Sequence, residues 1–390
     1  MSSTTALHEP RVAAAAAASS AATAARHADT VDSTGTLPQA AIDSLRAEGL
    51  LGLLVPSRYG GPGLPLREVA NVCRGLGEAC GATGLIYAMH QSQAAVLIGH
   101  AGESPWHETL LERAVREQFL VASATTEAAT GGAIRQSACF IDLREDGLHL
   151  DKCGAVISYA HAADLFLVSA RRSAEAAASE QQLVASLREQ TTLSSAGPCW
   201  NPLGMRGACT QRYDLQARCA PEQIFPGPFA HAMSETMLPC SHILLAAVWL
   251  GIAGSALSRA KAFLRARNRV GTPRNPISSL RLAEGEALVQ QMRALVAANL
   301  SLYESADRAA SATDRMVSYN TLKVSASELV VRATQTALRI CGIQGYMEEG
   351  DFYLSRHLRD AHSAMVMVND DRILGNLSSV VLGMPITREL

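Results

Sequence analysis

The sequence predicts a mainly α-helical protein with a central β-barrel: a helical N-terminal domain over 1–118, a small β-barrel over 119–228 and a C-terminal four-helix bundle over 229–390. Two changes of texture predict it. Long stretches with apolar residues at helical spacing occupy both ends of the chain, and between them lie short alternating segments broken by Gly and Asp-Gly. A third observation bounds the answer: 390 residues at 48% hydrophobic content can bury a large core, divided among two or three domains.

The N-terminal part opens on an Ala-rich helical stretch, 11–28, followed by "QAAIDSLRAEGLLGLLVP", where Leu45, Leu50 and Leu53 recur at helical spacing before Pro56. "PSRYGGPGLPL" (56–66) is a Gly/Pro loop, and helical periodicity resumes from Leu66 to Gly99. From Phe119 the segments "FLVASATTE", "ACFIDLREDGLHLDKCGAVISYA" and "DLFLVSARR" suit strands, with "EDG" at 145–147 as a hairpin turn. The Ala-rich "RRSAEAAASEQQL" (171–183) reads as a surface helical insert or a loop. Helical periods then return over 240–268, 279–307, 313–340 and 351–368, with breaks at "GTPRNP" (271–276) and "CGIQGY" (341–346).

Composition removes several functions. A formal charge of −2 lacks the basic footprint of a nucleic-acid binder. Nine scattered cysteines, an odd number without a C-x-x-C pair, suit reduced thiols and a cytoplasmic location. The Ala13–Ala18 run is too weakly apolar for a signal peptide, and Ile243 to Ala256 is too short to cross a bilayer, so no membrane partner is expected. No H-E-x-x-H, P-loop or G-x-S-x-G occurs, and no metal site is expected.

Six stretches, in order, resemble the acyl-CoA dehydrogenase superfamily of FAD flavoenzymes. "LRAEGLLGLLVPSRYGGPGL" (45–64) resembles its N-terminal helix and loop, and "TTEAATGGAIRQS" (125–137) its T-E-x-x-x-G-S/G-D loop. "KCGAVISYAHAADLFLVSA" (152–170) resembles a strand pair of its barrel, and "LGMRGACTQRYDL" (203–215) its L-G-M-R-G segment. "RARNRVGTP" (265–273) and "RICGIQGYMEEGDFYLSRHLRDA" (339–361) resemble blocks of its bundle.

The resemblance implies FAD as cofactor and a set of contacts to it. Thr125, Thr126, Gly131 and Gly132 match the loop whose backbone approaches the flavin ring; on their own they read as a hairpin turn. Ser158 matches a hydroxyl facing the flavin, and Val156 stands where the family usually has Trp. Arg267 matches an arginine that reaches the FAD pyrophosphate of a neighbouring subunit, a role suited to a guanidinium. Read alone it is a solvated helix residue. Val270 departs from the family's Phe. Gly342 and Gly345 match a loop near the adenosine half, with Ile343 replacing a glycine. These contacts imply a homodimer or homotetramer.

The resemblance also exposes a gap. The family's chemistry needs a carboxylate base to abstract a proton beside a thioester carbonyl. Laid on Arg359-Asp360-Ala361, the glutamate position falls on Val368, which keeps only a backbone N–H for the substrate carbonyl. The alternative position of that glutamate falls near Ser241, and His242 stands where the family often has an Arg near the CoA. Asp370 or Asp371 is a candidate relocated base, set against an ordinary helix cap or solvated turn. His242, Glu235 and Glu348 are further candidates.

The leading expectation is therefore α,β-dehydrogenation of an acyl thioester, as in fatty acid metabolism. Flavin-dependent monooxygenation on the same fold is the alternative, because it needs no such base. A degenerate, non-catalytic member comes third. An electron-transfer flavoprotein or a flavin reductase is the implied redox partner.

Overall fold

Alanine spacing sets the first packing surface of the chain. In the computed structural model, which describes residues 7–102, 104–197, 200–269, 276–305 and 311–384, helix α1 (Pro10–Thr34) buries Ala13, Ala16, Ala24, Ala28 and Val31 along one stripe. Such small side chains lose no rotamer freedom on burial. The helix ends at Gly35 in the left-handed region. Helix α2 (Gln39–Ala47) is stopped by Gly49, so that Leu50–Gly52 form a 3-10 turn. Leu45, Leu50 and Leu53 are all buried. Helices α3 (Leu66–Ala79), α4 (Gly81–His100) and α5 (Pro105–Arg116) follow.

Among the described residues, seven strands then form two small sheets. β1 (Val121–Ala124) runs parallel to β4 (Leu165–Arg171), which pairs antiparallel with β5 (Gln181–Leu187). In the second sheet β2 (Asp142–Arg144), β3 (Gly147–Ile157), β7 (Gln211–Cys219) and β6 (Thr191–Ser195) lie in that spatial order, all antiparallel. The expected Asp-Gly hairpin joins β2 to β3, with Arg144 opposite Gly147. Isolated bridges, such as Phe140 with Arg171, are the only ladder contacts outside the named strands, and no closed barrel forms among the described residues. The Ala-rich stretch 171–183 is not a helix: it turns at 172–180 and enters β5 at Gln181. A helix so short has no stability without a packed face.

The C-terminal part is built on one long helical run: α6 (Phe229–Ala232), a π-helical turn (Met233–Met237) and α7 (Leu238–Arg269). It packs against α3, α4, α8 (Pro276–Glu304) and α9 (Ala312–Cys341). By composition this run is apolar enough to span a bilayer, but 83% of its most apolar window is buried inside the protein. At the α3–α7 crossing, a Cβ on Gly77 would lie 2.3 Å from the Val248 carbonyl and one on Gly251 2.1 Å from that of Arg74. Only glycine permits so close an approach. The fourth helical period is realised as α11 (Ser355–His362) and a 3-10 turn, after the single turn α10 (Ile343–Tyr346) and before α12 (Asp370–Val381). Val270 and the 271–275 part of the expected break lie outside the described residues.

Two buried polar residues tie these parts together. His90 on α4 accepts the Val121 N–H at Nδ1 (3.0 Å) and donates from Nε2 to the Leu51 carbonyl (2.8 Å), linking three elements. Asp360 on α11 accepts the Met205 N–H at 2.6 Å, below the first turn of α4 at Gly81.

Burial holds His90, His107 and His242 down to about 4, against an ordinary imidazole value of 6.5, while burial lifts Asp360 to about 6. Depressed imidazoles contribute stability that is complete above pH 6.5 and is lost as pH falls towards 4, at roughly 1.4 kcal/mol per pH unit for each. Asp360 acts oppositely, its contribution being present below its unfolded value and lost as pH rises through 6. Three imidazoles outweigh one carboxyl. We expect the urea midpoint to drop steeply between pH 6.5 and 4; a midpoint constant over that range contradicts the buried neutral histidines.

Candidate functional site

The Thr-Glu loop is held in place by an ion pair beneath it. Glu127 and Lys152, both buried, pair at 2.7 Å, and Lys152 Nζ also donates to the Ser169 carbonyl at 2.5 Å. Glu127 accepts the Ser137 hydroxyl and the N–H groups of Ala138 (2.8 Å) and Cys139 (3.1 Å). Burial works to raise its carboxyl, but Lys152 and these donors hold it below the usual carboxylate range. One carboxylate thereby closes the loop 128–139 onto β3 and β4.

That closure arranges the residues expected to meet a flavin. Thr125 is buried, its hydroxyl 3.0 Å from that of Ser123. Thr126 donates to the Val156 carbonyl at 3.4 Å, and the Ser158 hydroxyl lies 2.7 Å from that of Thr210. Val156 itself stays 36% exposed, so an apolar patch is left open among three hydroxyls. Gly131 and Gly132 have positive φ, and nothing lies within 4 Å of where a Cβ would stand on either. Arg372 on α12 donates to the carbonyls of Gly132 (2.8 Å) and Gly131 (3.1 Å), bringing the C-terminal segment to this loop.

Arg267 and the glycines of the bundle form a second group. Arg267 is exposed at the end of α7 and lies over the Phe263 ring at 5.6 Å. Phe263 packs in the cluster that contains Cys341 and Leu354, beside Gly342 (φ 60°) and buried Gly345. Among the described residues, no hydrogen bond or ion pair joins this group to the Thr125–Ser158 group.

The segment around the missing base has an unusual geometry. Val368 has φ of 51° and is 43% exposed. A β-branched residue in that region costs about 1–3 kcal/mol. Its N–H makes no hydrogen bond to another described residue. Asn369 caps α12, accepting the Arg372 N–H at 2.9 Å, so Asp370 and Asp371 fall in the first helical turn. Asp370 is committed to the interior: Lys323 Nζ lies 2.5 Å from Oδ1 and the Ser327 hydroxyl 2.5 Å from Oδ2. Lys323 is fully buried, donates also to the Ala364 carbonyl and sits 5.7 Å from the Trp249 ring. Asp371 is exposed. Glu348 is exposed too, in an ion pair with Arg359.

A cavity of about 540 Å³ opens between α4, the π turn, α7, α8 and α9, with Arg135 of the Thr-Glu loop on its wall. Neither Asp370 nor Asp371 lines it. His242 does, but it is 1% exposed, with Nδ1 donating to the Tyr319 carbonyl at 3.2 Å. Burial, and then Lys323, keep it neutral. His100 lies 2.8 Å from the Thr236 hydroxyl, and its ring meets that of His231 edge-on at 5.5 Å. Burial, and then His231, hold His100 below the ordinary imidazole range. Glu235 pairs with Arg315 at 3.4 Å. The π turn is what carries Thr236 to His100, and such turns recur at functional sites.

Sequence reasoning passed over Glu127, Lys152, Lys323, Thr210, His100, His231 and Arg372. One signal was present: the chain has only three lysines, and two of them, Lys152 and Lys323, are fully buried in ion pairs.

Asp370→Asn leaves the Lys323 ammonium buried without its counter-ion and should destabilise the protein by about 3–5 kcal/mol. The double variant Lys323→Met/Asp370→Leu should recover most of that loss in urea melts; equal loss in both variants would show that packing, not charge, governs the site. Val368→Gly should raise stability by roughly 1 kcal/mol through release of backbone strain. An unchanged or lower midpoint would mean that Val368 is not strained in solution.

Comparison with known proteins agrees with this architecture. Residues 8–118 match the family model of the acyl-CoA dehydrogenase N-terminal domain, and residues 231–368 that of the acyl-CoA dehydrogenase C-terminal domain. The chain is 27% identical over 346 residues to the probable acyl-CoA dehydrogenase YngJ of Bacillus subtilis, covering 86% of this chain and 88% of that one. It is 26% identical to cyclohex-1-ene-1-carbonyl-CoA dehydrogenase of Geobacter metallireducens, covering 88% and 89%. Among solved structures, FMN-bound TdsC of Paenibacillus sp. A11-2, a dibenzothiophene monooxygenase, shares the fold with a TM-score of 0.80 at 21% identity, covering 95% of this chain and 97% of that one. With both terminal domains matched in order around a two-sheet β region, the chain belongs to the acyl-CoA dehydrogenase superfamily.

Proposed function

We propose that this protein is a flavin-dependent oxidoreductase, carrying FAD, that desaturates an acyl thioester between its α and β carbons. The observation that carries the reading is the open Val156 patch bordered by the hydroxyls of Thr126, Ser158 and Thr210, beside the free faces of Gly131 and Gly132. An apolar plane with polar edges suits that surface: hydroxyls and backbone meet the edges, and Val156 meets the face. Arg267 and the Gly342–Gly345 turn would serve the phosphate and adenosine half. Exposed Ile343, Tyr346 and Met347 beside that turn support a homodimer or homotetramer.

A bound flavin supplies two-electron oxidation; the chain's own residues position the acyl group and move its proton. The unbonded N–H of Val368 is a donor for the thioester carbonyl, where negative charge develops as the α-proton leaves. Asp371 is the carboxylate of this segment that no ion pair engages among the described residues. The relatives named as dehydrogenases of CoA thioesters support the same reaction class, with an electron-transfer flavoprotein as the electron acceptor.

One observation favours oxygenation as a second reading. Val368 holds the carboxylate position and Asp370 is bound to Lys323, so α-proton abstraction is poorly provided for. In that case the redox partner is a flavin reductase, and TdsC is a relative in fold that bears such an activity in its name.

The test is spectroscopic. The purified protein should show the visible absorption band of oxidised flavin, and anaerobic acyl-CoA should bleach it. Asp371→Asn should slow bleaching by about a hundredfold or more if Asp371 is the base; unchanged kinetics would remove it from that role. Absence of bleaching, with oxygen consumed only when reduced flavin and a substrate are supplied, would favour the oxygenase. A colourless protein that takes up no FAD would sink both.

A further inference from the structure

We propose that the cavity between α4, the π turn, α7, α8 and α9 receives an acyl group that ends in an oxyanion, a carboxylate, and that Arg135 selects for it. This rests on the thioester oxidoreductase reading and names its substrate class. The cavity wall is mostly polar: hydroxyls, imidazoles and guanidinium groups outnumber apolar side chains. A saturated hydrocarbon chain placed there would strip water from those groups and return no hydrogen bonds. The same wall suits a short substrate with acceptor atoms.

Charge decides which kind of acceptor. Arg315 faces the cavity but has Glu235 against it at 3.4 Å. Glu235 is also the single carboxylate on the described wall, so its charge is taken up. Arg135, three residues after Gly132, also lines the cavity; it is exposed and makes no ion pair or hydrogen bond with another described residue. An exposed guanidinium on the wall of a polar cavity is matched by a carboxylate entering that cavity, which it can hold through two parallel hydrogen bonds. His100, steadied by Thr236, and His231 beside it add ring nitrogens that can hydrogen-bond the rest of the group.

The position of Arg135 on the Thr-Glu loop gives this selection a consequence. The Glu127–Lys152 pair holds the loop to β3 and β4, and Arg372 holds Gly131 and Gly132 from α12. A substrate carboxylate on Arg135 would therefore be registered against the surface assigned to the flavin.

Two sources of oxyanion must be separated, the acyl group itself and the phosphates of a CoA carrier. Binding of succinyl-CoA, butyryl-CoA and the corresponding pantetheine thioesters, which lack phosphate, can be titrated by calorimetry on the flavin-loaded protein and on Arg135→Ala. We expect succinyl thioesters to bind the wild-type protein about tenfold or more tightly than butyryl thioesters on either carrier, the difference expected of a charge-assisted hydrogen-bond pair. Arg135→Ala should abolish that preference and leave butyryl-CoA binding unchanged. Equal weakening of both CoA thioesters by Arg135→Ala, with the pantetheine thioesters unaffected, would assign Arg135 to the carrier phosphates and overturn the proposal. Equal wild-type affinity for succinyl and butyryl thioesters would overturn it too, while leaving the dehydrogenase reading intact. A yellow, folded protein that binds none of the four would overturn the thioester reading itself.

Discussion

A single buried carboxylate holds the three parts of this protein in register. Asp360 projects from α11 to accept the Met205 N–H at 2.6 Å, and its other oxygen lies where a side chain on Gly81 would clash, at 2.6 Å. The N-terminal helices, the loop that follows β6 and the C-terminal helices all converge there. Gly204 lies so close to α11 that a Cβ would stand 2.2 Å from the Arg359 carbonyl. Around it, Arg359 pairs with Asp32 and Glu348, Arg356 pairs with Asp29, and Arg206 donates to the Asp32 carbonyl. Burial lifts Asp360 to about 6, which means that desolvation is only partly offset by its donor. The gain is geometric: the L-G-M-R-G and R-D-A segments cannot move independently.

That constraint reaches the candidate site through two short paths. Beyond Arg359-Asp360-Ala361 the chain makes a 3-10 turn, passes Val368 with a positive φ and enters α12 under Asn369. Lys323 then fastens α12 from below and Arg372 fastens the Thr-Glu loop from above. The second path is the Glu127–Lys152 pair, which holds the same loop to the sheets. The loop is thus gripped from both sides, and its small residues leave an open face between Thr126, Val156 and Ser158. Rigid support of this kind is what a planar cofactor requires, since misplacement of its reactive edge by about 1 Å costs orders of magnitude in rate.

Much of the fold was legible in the sequence, and the reasons are local. The Leu45, Leu50 and Leu53 spacing, the Asp-Gly turn before β3 and the long periods of α7, α8 and α9 each follow from the residue pattern alone. The barrel was less legible, because closure depends on ladder contacts between strands distant in sequence; what forms is two sheets, whose isolated bridges reach only flanking segments. The Ala-rich stretch 171–183 reads as helix or loop because alanine favours helix in isolation; the structure takes the loop, which feeds a strand paired to β4. The motifs contained Glu127 and Lys152 but did not show that the two pair, since a buried ion pair leaves no periodic trace.

The sequence by itself determined the order of helices and strands, the motifs that register one part on another and the loss of a carboxylate at Val368. Periodicity and motif spacing are properties of neighbouring residues, so they can be read without a structure. Only the tertiary structure decided what the remaining acids and bases are free to do. It committed Asp370 to Lys323 and Glu235 to Arg315, neutralised His242 by burial and left Arg135 unpaired on a polar cavity. Those outcomes depend on which charges lie within a few ångströms and on how much water reaches them, and both are settled by contacts between residues far apart in the chain.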